Sequence, residues 1–237
     1  MESGIQERIE AVRGRIRDAC RRAGRDEAGV RLVAVSKTYP PESVCEAACN
    51  GCDCFGESRV AEALLKMEAC PGNLEWHFIG HLQRNKVPQV VAAFALLHAV
   101  DSVRLLERIE TCAAEAGRRV AVCLEVNVSG EATKYGFAPA EVPAALEAVN
   151  AMPHVDVAGL MTMAPFHPDP EAARPHFRRL RELRDGWAER SGFALETLSM
   201  GMSNDFETAI EEGATLVRLG TILFGARSPD IGRQECE

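Results

Sequence analysis

The chain has 237 residues, room for one large domain or two small ones. Its 46% hydrophobic content is enough for a buried core, and 26% charged residues make an ordinary soluble surface. A formal net charge of −8 argues against nucleic acid, whose binding draws on Lys and Arg neutralising phosphates, yet leaves room for a local pocket fitted to one small phosphate. The N-terminal stretch MESGIQERIEAVRGRIRDAC is charged and amphipathic, unlike a secretory signal, and the longest apolar run, Val90–Val100, is too short to span a bilayer. The expectation is a cytoplasmic protein with no membrane association.

In chain order, Ile5, Ile9, Val12 and Ile16 mark one face of an N-terminal helix within residues 1–28. Arg31–Val35 is a β-branched run, the first strand. Pro40-Pro41 opens a helix that Gly51 closes. Cys52–Gly56 is the second strand, followed by a helix through Leu64 and Leu65. Trp76–Gly80 and Leu96–Val100 are the third and fourth. Asp101 or Ser102 caps a helix striped by Val103, Leu106, Ile109 and Ala113. Val120–Val128 shows almost no polar alternation, as expected of a strand covered on both faces. A helix through Ala144–Val149 leads to the sixth strand, Val155–Met163. Ala173, Phe177, Leu180, Leu183 and Trp187 stripe a long helix, and Leu195–Gly201 and Thr215–Gly220 complete the strands.

Eight strands with helical segments in all seven gaps imply a parallel, closed (β/α)8 TIM barrel, an α/β fold with an extra N-terminal helix. An open doubly wound sheet is the alternative, but no G-x-G-x-x-G follows the first strand. No linker divides the chain, so residues 1–237 are read as a single domain with a short tail at 228–237. The N-terminal helix is expected to cover the region of a truncated eighth helix. Nine cysteines without a secretory signal read as reduced thiols. Cys45 and Cys49 would share a helix face, and Cys52 and Cys54 a strand face. No second ligand pair follows at zinc spacing, so apolar filling is expected and no metal.

Barrels of this kind place chemistry where strands end and the following loops begin. Lys37 ends the first strand, where apolar walls lower an amine's pKa and free its lone pair for attack on an aldehyde. The loops after the seventh and eighth strands carry Ser203 and Gly220-Thr221. These supply two hydroxyls and bare backbone amides, an anion cradle. In the other reading, Ser203 or Asn204 only caps the helix, with Asn204 and Glu207 forming a capping box, and the two are compatible because a cap residue can spare its hydroxyl for a ligand. An amine facing a phosphate cradle across the barrel mouth suits a phosphorylated aldehyde.

The stretches RLVAVSKTYP, FGESRVAEAL, WHFIGHLQRNK, AVDSVRLLERI, EVNVSGEATKYGF, GLMTMAP and LSMGMSNDFETAIEEGATLVRLGTILFG, in this order, resemble the pyridoxal-phosphate homeostasis protein family. That family, also called the proline synthetase co-transcribed homologue, is related to the barrel domain of alanine racemases. The resemblance implies pyridoxal 5′-phosphate (PLP) as a Schiff base on Lys37, phosphate contacts from Ser203, Gly220 and Thr221, and Arg218 near the pyridine nitrogen. Met202, Ser58 and Asn127, also at strand ends, complete the expected cofactor-binding set. The chain departs from the family pattern at Ser58 and Ala61, where Asn and Gln are usual.

The chemistry bears on activity. An arginine can only donate, so Arg218 holds the ring nitrogen unprotonated and weakens the ring as an electron sink. Racemisation also needs a second base on the face opposite the lysine, and no second domain follows in this sequence to bring one. Tyr39, beside Lys37, is a conceivable contact; His77 and His81 are candidate acids or bases, with a structural role preferred for both. The expectation is a monomeric, non-catalytic PLP store or carrier in vitamin B6 homeostasis, with apo-PLP-enzymes as transient recipients. A weak PLP-dependent amino-acid racemase is the alternative, and a Schiff-base aldolase using Lys37 without PLP is a third reading.

Overall fold

The computed structural model describes residues 4–131 and 134–226. The expected tail at 228–237 lies outside the described residues. The strands are β1 (Arg31–Val35), β2 (Cys54–Glu57), β3 (Glu75–Phe78), β4 (Leu96–Val100), β5 (Val120–Glu125), β6 (Val155–Met161), β7 (Thr197–Ser199) and β8 (Leu216–Leu219). They close into a barrel in sequence order, with β8 pairing back to β1 and every pair parallel.

Among the described residues the helices are α1 (Ile5–Arg22), α2 (Pro41–Cys49), α3 (Val60–Ala69), α4 (Val87–Ala93), α5 (Val103–Glu115), α6 (Val142–Val149), α7 (Arg174–Ser191), α8 (Phe206–Glu211) and α9 (Thr221–Phe224). Helices α2 to α8 fill the seven gaps between strands. Helix α9 has only four residues, and α1 packs against it and against α2 and α8. The buried face of α1 contains Ile5, Ile9, Val12 and Ile16. This helix thus takes the place a full eighth helix would occupy. It ends at Arg22 rather than near residue 28. A separate 3-10 turn, Glu27–Gly29, follows, with Asp26 accepting a hydrogen bond from the Ala28 amide.

The two-residue period of the strands sorts the core into two layers. Val217 and Leu219 of β8, Ala34 of β1 and Phe55 of β2 belong to the large cluster between the sheet and its helices. Their alternates Leu216, Val33 and Cys54 join Leu96, Ala99, Cys123 and Met161 in a small separate cluster inside the barrel. Cys52 therefore does not share a face with Cys54. It precedes β2 and packs in the outer layer, because the strand starts two residues later than its apolar run suggests. Strands β5, β6 and β7 are also shorter than expected, ending at Glu125, Met161 and Ser199. At β7 the reason is local, since Leu195 has φ +47° and Gly201 φ +94°, neither compatible with a strand.

Candidate functional site

The loop that carries Lys37 is held from below by a buried ionic cluster. Lys66 of α3, only 3% exposed, donates to the Ser36 carbonyl at 2.7 Å, to Glu57 Oε1 at 2.7 Å and to Glu62 Oε1 at 2.6 Å. Ser36 Oγ donates to the same Glu57 oxygen at 2.7 Å, and Glu62 Oε1 accepts from the Thr38 amide. Burial pushes the Glu57 carboxyl up, opposed by Lys66 and the Ser36 hydroxyl. Thr38 itself sits at φ +70°, a left-handed conformation that costs a β-branched residue about 1–2 kcal/mol. The cluster holds that strained turn in place, and the turn aims the half-buried Lys37 into the barrel mouth.

Lys37 lines a cavity of about 340 Å³ together with Met202, Ser203, Arg218, Gly220 and Thr221. That volume lies within the range of roughly 300–1,000 Å³ that small-molecule sites use. Val35 and Ile79 form apolar walls, and Met163 and the 81% exposed Phe166 form a rim. At one end the hydroxyls of Thr221 and Ser203 stand 3.4 Å apart. The turn bearing Ser203 starts at Gly201, whose left-handed φ and 2.6 Å approach of an added Cβ to Ala209 leave no space for a side chain. Asp205 closes the turn by accepting from the Met202 amide at 2.7 Å.

The capping box does not form. Helix α8 begins at Phe206, Asn204 donates to the His167 carbonyl, and Glu207 is held by Arg15 and Arg22. The Ser203 hydroxyl lies upstream of the helix and faces Thr221.

Arg218, 6% exposed, rises from β8 into the cavity floor. It donates to the Ser199 carbonyl at 2.8 Å, to Ser199 Oγ and to the Thr162 carbonyl at 3.0 Å. Burial pulls its pKa down, while Glu125 and Asp205 oppose that shift. The donor set across the cavity (an amine, a guanidinium, two hydroxyls and loop amides) fits an anionic ligand with a carbonyl and an acceptor nitrogen. This is the outline of PLP.

Two of the expected residues stand elsewhere. Asn127 organises its own loop, accepting from Ser129 Oγ and the Gly130 amide and donating to the Glu131 carbonyl. Ser58 is packed against Gly80, where an added Cβ would lie 2.7 Å from its carbonyl, and is not among the residues lining this cavity. Tyr39 is also committed, with its hydroxyl donating to the Gly225 carbonyl at 2.6 Å and its ring against Phe224. His81 pairs with Asp101 and stacks on Tyr135. His77 lies inside the barrel, bound to Glu75 and His98.

Among the described residues, Cys54, Glu75 and His77 bring three metal-ligand atoms within 4.8 Å of one another. Their chemistry opposes a cation. Both His77 nitrogens have partners, Arg31 lies 2.7 Å from Glu75, and burial pushes the Cys54 thiol up to about 12.

Residues 8–228 match the profile of the alanine racemase N-terminal domain. A protein of Aquifex aeolicus named pyridoxal phosphate homeostasis protein is 48% identical over 222 residues, 93% of this chain and 97% of its own length. The chain belongs to the pyridoxal phosphate homeostasis protein family. A second member, from Pseudomonas aeruginosa, is 46% identical over 228 residues, 95% of this chain and 96% of its own. Within the family, PipY of Synechococcus elongatus, solved with PLP bound, superposes with a TM-score of 0.82 at 34% identity, covering 94% of this chain and all of that one. Alanine racemase of Corynebacterium glutamicum shares the fold, with a TM-score of 0.66 at 19% identity, and the chain spans 63% of its length.

The site contains residues that the motifs did not disclose. Glu57, Lys66 and Glu62 hold the Lys37 turn, and Glu62 and Lys66 could have been flagged by their i,i+4 spacing on α3. Ser199 and His98 lie behind Arg218, and His98 in the run LLHAV was the visible signal, a polar residue inside an apolar strand.

Proposed function

We propose that the chain binds PLP in this cavity as a Schiff base on Lys37 and serves as an intracellular store and carrier of the cofactor. The Lys37 amine adds to the ligand's aldehyde and water leaves, forming the imine. Ser203, Thr221 and the Gly220 backbone hold the phosphate, Arg218 faces the pyridine nitrogen, and Met202 lies at the rim. The observation that carries this reading is the convergence of Lys37 from the end of β1 with Arg218, Ser203 and Thr221 from β8 and its neighbouring loops on one cavity. The PLP-bound relative supports it.

PLP supplies an aldehyde for amines and a ring that can accept electrons. This chain's residues favour holding over turnover. Arg218 only donates, which keeps the ring nitrogen unprotonated. Tyr39 spends its hydroxyl on the Gly225 carbonyl, and Tyr135, stacked on His81, is not among the residues lining the cavity, so neither offers the second base that racemisation needs. The protein acts as a monomeric single domain in the cytoplasm, and apo-PLP-enzymes are its transient recipients.

The test is borohydride reduction of the PLP-loaded protein followed by peptide mapping. The expected result is a reduced adduct on Lys37 and loss of the visible band in Lys37→Ala. An adduct on another lysine overturns the reading. Rapid exchange of an added amino acid's α-proton would favour the weak racemase instead.

A further inference from the structure

A file of polar side chains crosses the barrel interior from its floor to the cavity. Arg31 Nη1 and His77 Nε2 each lie 2.7 Å from Glu75 Oε1. His77 Nδ1 lies 3.0 Å from His98 Nε2, and His98 Nδ1 lies 2.7 Å from Ser199 Oγ. Ser199 Oγ accepts from Arg218 Nη1. The contacts link β1, β3, β4, β7 and β8, and His77, His98 and Ser199 are at most 2% exposed.

Counting protons along the file gives it a direction. Arg218 can only donate, so the hydroxyl proton of Ser199 is left for His98 Nδ1, which accepts. A neutral His98 then carries its proton on Nε2 and donates to His77 Nδ1. His77 carries its proton on Nε2 and donates to the Glu75 carboxylate, which Arg31 also contacts. From Arg218 to Glu75 every donor points from the cavity toward the barrel floor, and there Arg31 donates to Glu75 from the other side. The opposite order would place two donors on Ser199 Oγ and leave its hydroxyl proton without the His98 acceptor. Burial, with His77 and Arg218 nearby, pushes His98 well below the ordinary histidine range, in accord with its neutral form.

We propose that His98 and His77 are positioning residues for Arg218, forming a directed hydrogen-bond wire that turns a Ser199 lone pair onto Nη1 and so fixes which N–H bonds Arg218 presents to the cavity. The role toward a bound ring nitrogen rests on the PLP reading above, whereas the wire is a property of the protein without ligand. Arg218 spends Nη1 on Ser199 and one Nη2 proton on the Thr162 carbonyl, leaving its remaining donors for a ligand. Losing the wire removes the Ser199 hydroxyl as one of the three acceptors that fix the guanidinium and leaves it on the Ser199 and Thr162 carbonyls alone.

Two measurements test this. In apo-protein labelled with 15N-histidine, His77 and His98 should both show the Nε2–H tautomer, with unprotonated Nδ1 shifts. An Nδ1–H tautomer at His98 overturns the wire whether or not PLP binds. In PLP-loaded protein, Ser199→Ala and His98→Phe should shift the visible cofactor band and speed PLP loss on dialysis. Lowered thermal stability with an unmoved band would show packing only and overturn the positioning role. Absence of any band in wild-type protein would sink the cofactor reading, leaving the tautomers to decide the wire.

Discussion

Glu125 ends β5 inside the barrel mouth, 4% exposed, with Asp101 and Arg218 as charged neighbours. Burial, then repulsion from Asp101, raises its carboxyl from 4.5 to about 7, with Arg218 opposing. A raised folded-state pKa means the native protein holds this proton more tightly than the unfolded chain does. The associated stability is therefore complete below pH 4.5 and lost as pH rises through 7. The interval corresponds to about 3 kcal/mol at alkaline pH. Glu125→Gln removes the titration while keeping the shape. Relative to wild type, the apo variant should gain stability between pH 4.5 and 8, levelling off by about 3 kcal/mol, or roughly 6–12 °C in Tm for a chain of this size. Urea melts across this range measure it directly. A variant-minus-wild-type difference that is flat with pH, or that falls as pH rises, refutes the burial argument.

Lys66→Met should destabilise the protein by about 3–5 kcal/mol in urea melts, because it leaves Glu57 ionisable, fully buried and without its partner. The double variant Glu57→Gln with Lys66→Met should recover much of that loss; no recovery would assign the cost to packing. Ser203→Ala should weaken PLP retention by about 1–3 kcal/mol, roughly a 5- to 150-fold rise in Kd, with the Tm of the apo-protein unchanged. An unaltered Kd removes Ser203 from the phosphate cradle.

Much of the barrel is legible because local patterns and global fold agree. Strands at Arg31–Val35 and Leu96–Val100 are apolar apart from Arg31 and His98, and the α1 stripe at Ile5, Ile9, Val12 and Ile16 is buried as its period demands. Strand ends were less legible. Val126 after Glu125 and Met163 after Met161 continue the apolar pattern, although the chain has already left the ladder. The face of Cys52 depended on where β2 starts, and an error in register moves a side chain through the sheet. Lys37, Ser203, Gly220 and Thr221 stood out because strand ends carry chemistry in a barrel. Asn127 shared that position, yet its side chain is turned onto its own loop.

Period and composition alone determined that eight parallel strands would close and that an amine and two hydroxyls would sit at the strand ends. Only the folded barrel decided which interior side chains meet. Arg31, Glu75, His77, His98, Ser199 and Arg218 are spread over nearly the whole chain, and their hydrogen bonds depend on strand stagger and inward alternation. Those are properties of closure, set by all eight strands at once.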